Sequence, residues 1–272
     1  ILYKSGISLT LKTIIGIGSF ILIDIITNNM NLAFSCLYLA NFLIIIIYDF
    51  IQIKGFIHKD EKIRIYKLAE IFKGEFWIFA NTFLLIFILN EPKYVIDYYF
   101  TNEIQAIFGI IIIPASIIPL FSQFVISPIV NGITKSYKDG KVEDVKKLDL
   151  KINLWILGFG IISTIIGYLI GIPVLEFIFN QDLGEQKIAF IIILIAYIFY
   201  GLAQSKIILL TMLRKLKEQF MVHITSAILI IIVSNILIGN YELMGTAYTY
   251  FIIMVFYYFS LTIITKYYIK KS

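Results

Sequence analysis

The chain has 272 residues, 60% of them hydrophobic and only 15% charged, with a mean hydropathy of +0.90 and a net charge of +5; soluble domains are nearer half apolar and a quarter charged. That composition excludes a water-soluble globule. A single cysteine, Cys36, excludes a disulfide framework or a Cys-based metal site, and no HExxH, GxSxG, GxxxxGK or CxxC pattern is present, so the chain is expected to be neither an enzyme nor a metalloprotein. Its basic residues are dispersed between apolar blocks, which suits anionic lipid headgroups and not nucleic acid.

A membrane-crossing helix needs about 20 apolar residues. Eight segments meet that need: A 7–27, B 32–53, C 75–90, D 104–130, E 152–173, F 187–212, G 219–239 and H 243–265. The runs are apolar on all faces, unlike the alternation of a barrel strand, so an all-α polytopic membrane protein is the expected fold class. Segment A carries Lys12 and segment B carries Asp49, each roughly 10 Å from mid-depth at 1.5 Å per residue. A short carboxylate does not reach the interface as a lysine does. Asp49 therefore reads as an ion-pair partner of Lys12, as a proton or sodium site, or as an interfacial Asp beside Tyr48 and Gln52.

Between B and C, the basic stretch 54–74 places Ile63, Tyr66, Ala69, Phe72 and Phe76 at helical spacing among Lys62, Arg64, Lys67 and Lys73, the pattern of an interfacial amphipathic helix or a charged linker. This is a natural seam between A and B and the six spans that follow. Segment C holds Asn81. Segment D contains Pro114, Pro119 and Pro128 with Gln123 and Ser127; each internal proline removes a helix hydrogen bond, and freed carbonyls at membrane depth are tolerated where a cavity or protein satisfies them. D is therefore expected to be a broken or hinged helix beside a cavity, with Asn81 and Gln123 as polar groups for a ligand or for neighbouring helices. The next basic loop repeats the amphipathic form through Val142, Val145, Leu148 and Ile152. Gly167 and Gly171 form a GxxxG on E, a signal for close helix packing. Lys206 on F is close enough to the span end to snorkel or to hold an anion. Asn153, Asn235 and His223 read as interfacial.

Alternating the segments across the bilayer puts every one of the 23 Lys and Arg residues except Lys93 and Lys187 on one side, which the positive-inside rule makes the cytoplasm. Both ends of the chain are then cytoplasmic. Short outer loops lie at 28–31, 91–103, 176–185 and 240–242.

Segment C ends in Asn90-Glu91-Pro92-Lys93-Tyr94, and D closes with Gln123 to Pro128 before its basic loop. Asn90, Pro92, Lys93 and Tyr94 match a motif of the second lobe of the polysaccharide-export flippases, the Wzx type of the multidrug/oligosaccharidyl-lipid/polysaccharide (MOP) exporter superfamily, which the chain resembles over most of its length. Lys93 stands where Arg is frequent, and Thr101-Asn102 replaces the usual glycine turn. The resemblance implies two six-helix lobes. Residues 1–53 would be the last two helices of the first, 54–74 the cytoplasmic linker and 75–272 the second lobe, with the N-terminus incomplete. Asp24, Asn29 and Leu32 share the spacing of Asn235, Asn240 and Leu243, a faint echo of such a duplication.

The implied function is movement of an undecaprenyl-diphosphate-linked oligosaccharide across the bacterial inner membrane by alternating access, with membrane lipids and the polysaccharide polymerase machinery as partners. No cofactor beyond a coupling proton or sodium ion is implied. Lys12 and Lys206 are the available inner cations and Asp49 the available carboxylate, though no family motif covers them. Competing readings are a drug or metabolite exporter of the same architecture, a polysaccharide polymerase or ligase, and a membrane scaffold.

Overall fold

The computed structural model describes residues 2–50 and 65–271, and every regular element among them is helical. The chain divides into two compact units, Ile1–Glu70 and Ile71–Ser272. Of the basic stretch between B and C, residues 54–64 lie outside the described residues, as does the end of B at 51–53.

The first unit contains α1 (Leu2–Thr27) and α2 (Met30–Ile44), the latter continuing through a π-helical turn, Ile45–Asp49. Asn28 adopts a left-handed φ of 47° at the turn. Asn29 then caps α2, its Oδ1 accepting from the backbone of Asn31 and Leu32. The two helices meet closely at Gly16, where an added Cβ would lie 2.8 Å from Asn41 Nδ2.

The second unit is built from α3 (Ile65–Tyr99) from Ile71 onward, α4 (Asn102–Ala115), α5 (Ile117–Lys138), α6 (Val142–Ile166), a π-helical turn Gly167–Gly171, α7 (Ile172–Phe179), α8 (Lys187–Met212) and α9 (Leu216–Lys271). At its centre stands α8. Of its most apolar stretch 67% is buried, against 17% for the stretch running from α6 through α7. Gly160, Gly167 and Gly171 let α8 approach: an added Cβ there would lie 2.6 Å from Ile198, 2.6 Å from Leu194 and 2.5 Å from Phe190. The GxxxG of segment E is thus one end of a longer glycine face, locally unwound into a π turn.

Helix α9 is a hairpin. Glu242 has φ 50° and ψ −129°, and the arms on either side run antiparallel. Gly245 sits against Leu237, Tyr257 against His223, and Tyr268 hydrogen-bonds Glu218. Conversely, α3 runs parallel to the first arm, with Asn81 at Leu216 and Glu91 at Ser234. Six helical stretches among the described residues are long and apolar enough to cross a membrane, as expected of a multi-pass membrane protein.

The expected eight segments differ from these six at two places. Segments G and H fall within one helical stretch, the α9 hairpin. Segment C is not among the six found among the described residues; its helix continues to Tyr99, well beyond the expected end at residue 90. Pro92 is accommodated inside it. At 35 residues this helix is about 50 Å long, more than the hydrocarbon thickness. The second basic loop also departs from expectation, since Val142 to Ile152 form the first turns of α6 and not a separate interfacial helix. Val145 and Ile152 are each 1% exposed, so the apolar stripe packs on protein.

Candidate functional site

Segment D breaks where its prolines lie. Pro114 has no N–H for the carbonyl of Ile110, and Pro119 none for that of Ala115. Helix α4 accordingly ends at Ala115 and α5 begins at Ile117. Ser116 bridges the break, its N–H donating to Ile112 and Ile113 and its Oγ to Ile113 O at 2.6 Å. Pro128 lies within α5. One face of α5 then lines a cavity of about 450 Å³ formed by Leu85, Gln123, Ser127, Val130, Gln204, Ile207 and Ile208. Gln204 Oε1 is buried there with no hydrogen-bond partner among the described residues, and an unmade bond in a buried amide carries a desolvation cost that a ligand or water would remove. Gln123 therefore faces the cavity its segment was expected to border. Asn81 does not: its Nδ2 is committed to Trp77 O at 2.7 Å and Leu216 O at 3.0 Å, tying α3 to α9.

Lys206 is buried and is no free cation. Its Nζ contacts both Asp149 oxygens at 2.6 Å, with side-chain exposures of 3% and 19%. Neither snorkelling nor free anion capture describes it. Helix α6 brings Asp149 under α8 because Ile152 and Ile156 of the same face are buried there. A carboxylate three residues before Ile152, one helical turn along the α8-facing stripe, was the signal for it. Asn153 itself is half-buried and accepts from Ser205 Oγ. In the first unit, Lys12 Nζ lies 2.5 Å from Asp49 Oδ2, while Ser8 Oγ donates to Asp49 Oδ1 at 2.5 Å. Lys12 too is engaged, and Ser8 is an unforeseen third member.

A buried carboxyl appears where an outer loop was expected. Glu91 is 5% exposed. Ser234 Oγ donates to its Oε1 at 2.7 Å, and its Oε2 has no partner among the described residues. The reason is periodicity: Ile88, Glu91, Pro92, Val95 and Ile96 share one helical face, and all are buried. Ending segment C at Asn90 concealed this. Of the neighbouring motif, Asn90 Nδ2 donates to Ile86 O and its Oδ1 accepts from Lys93 Nζ, whereas Tyr94 is exposed. Tyr250 closes the third side by donating to Leu89 O at 2.6 Å.

His223 is fully buried within the protein. With Nδ1 donating to Gln219 O, its Nε2 accepts the Tyr257 hydroxyl at 2.7 Å, which locks the two arms of α9.

The capsular polysaccharide biosynthesis protein CapF of Staphylococcus aureus is 26% identical over 267 residues, 93% of this chain. The chain is thus related to a polysaccharide-biosynthesis protein. It spans 66% of the length of CapF. No family model matches the chain, and no solved structure matches it.

Proposed function

We propose that the chain forms two helices of a first lobe and a six-pass second lobe of a flippase that moves a lipid-linked oligosaccharide across the bacterial inner membrane for surface polysaccharide assembly. The observation that carries this reading is the similarity to a capsular polysaccharide biosynthesis protein along 93% of the chain. The alternating helix directions of the second unit support six passes there, with α3 crossing despite its flanking charges and α9 crossing twice. The chain ends are then cytoplasmic. A sugar headgroup cannot traverse bare hydrocarbon, so it needs wet polar surface; the cavity at Gln123, Ser127 and Gln204 offers amides and a hydroxyl to sugar hydroxyls. The proline break at Ser116 gives α4 and α5 a hinge beside it.

Coupling to a proton or sodium ion falls to Glu91. Its carboxyl is buried with one oxygen unpartnered, so it must be neutral or hold a cation, whereas Asp49 is already satisfied by Lys12 and Ser8. A drug or metabolite exporter of the same architecture is the second reading, favoured by the neutral lining of the Gln123 cavity. Deleting the gene separates the two. A flippase deletion accumulates lipid-linked oligosaccharide and loses surface polysaccharide, while intact polysaccharide with raised drug sensitivity refutes the flippase.

A further inference from the structure

We infer that the crevice between α6, α8 and the second arm of α9 is a binding site for an acidic glycerophospholipid, seated with its phosphate among Lys146, Lys266 and Lys270. The crevice encloses about 700 Å³, and its lining changes character along its length. Lys146, Lys266 and Lys270 stand at one end; Leu150, Leu154, Leu157 and Leu202 continue from there along the helices, with Tyr258 and Thr262 on the facing arm. A cationic end followed by an apolar wall has the polarity of a lipid and not of a soluble anion.

Two further observations fit a bilayer lipid. Leu150, Leu154 and Leu157 are 60%, 59% and 41% exposed, so the apolar wall opens sideways, where an acyl chain can lie without leaving the membrane. Lys266 and Lys270 form no ion pair with any described residue. Lys146 is held only by a solvent-exposed contact to Glu143 at 2.8 Å, an arrangement that contributes little and yields to a phosphate. Beneath them, the Lys206–Asp149 pair uses the one carboxylate of the crevice, so Asp149 does not repel the phosphate. The inference is independent of what the protein transports.

The test uses the purified full-length protein and native mass spectrometry with titrated phosphatidylglycerol, phosphatidylcholine, a polyprenyl diphosphate or inorganic phosphate. Phosphatidylglycerol is expected to bind in preference to phosphatidylcholine, and each of Lys266→Gln and Lys270→Gln to weaken it about fivefold, the effect of one lysine near an anionic headgroup. Both lysines are exposed, so the fold survives their neutralisation; matched unfolding curves verify this. An unchanged preference in the double variant overturns the site. Saturation by inorganic phosphate alone overturns the lipid, and binding confined to a polyprenyl-diphosphate lipid would make the crevice a substrate site instead.

Discussion

Breaking the Lys206–Asp149 pair from either side has unequal consequences, and the inequality follows from burial. At 2.6 Å, the attraction is about 6 kcal/mol at an effective dielectric of 20, opposed by desolvation of both groups. Asp149→Asn leaves the ammonium of Lys206, 3% exposed, without a counter-charge; stranding a buried charge costs about 3–5 kcal/mol. Lys206→Met strands Asp149 instead, but that carboxylate is 19% exposed and borders the crevice, where water reaches it. Its loss is about 1.5–3 kcal/mol, the scale of one charged hydrogen bond. Replacing both with Leu and Met restores most of the stability, since apolar packing often matches a buried pair. Equilibrium unfolding in mixed detergent micelles measures all three variants. Equal losses for the two single variants, or a double variant as unstable as the worse single, would refute the pairing.

Glu91→Gln keeps the Ser234 hydrogen bond and the fold but abolishes dependence of transport on a proton or sodium gradient; unchanged ion dependence in a vesicle assay removes Glu91 from coupling. Asp49→Asn leaves ion dependence intact and loosens the α1–α2 hairpin only slightly, since both partners are about one quarter exposed and solvent screens the pair; proteolysis within that hairpin reads it. Gly167→Leu forces atoms into Leu194 and Phe190 and costs about 1–3 kcal/mol by overpacking, whereas Gly158→Leu, with open space at its Cβ position, stays near wild type in thermal denaturation. Gly245→Ala puts a Cβ 2.0 Å from the backbone oxygen of Leu237 and prevents folding of the α9 hairpin, while Gly239→Ala, whose nearest such contact is 3.9 Å, yields normal levels of folded protein.

Helical class and most segment positions were legible because lipid leaves the backbone few alternatives. Segment D shows how far this goes: three prolines announced the break, and the structure places it at Ser116. Side-chain partners were legible only where depth limited the choice, as with Lys12 and Asp49 on neighbouring antiparallel helices. Asp149 and Glu91 were missed for one reason. Both lie where charged residues mark the ends of an apolar run, and a hydropathy boundary cannot reveal that the helix continues with one face against protein. The periodicity of Ile88, Val95 and Ile96 carried that information for Glu91, and Ile152 with Ile156 carried it for Asp149. The turn at Glu242 was legible as a boundary between segments, but not the continuity of helix around it.

The central claim is translocation of a lipid-linked oligosaccharide, and its direct test is reconstitution. Full-length protein in proteoliposomes, loaded with the lipid-linked oligosaccharide of its host, should expose inner-leaflet sugar to an external glycosidase at a rate well above protein-free vesicles. Glu91→Gln should remove the ion dependence of that rate. Exposure no faster than in protein-free liposomes, with the full-length protein folded and correctly inserted, would contradict the account.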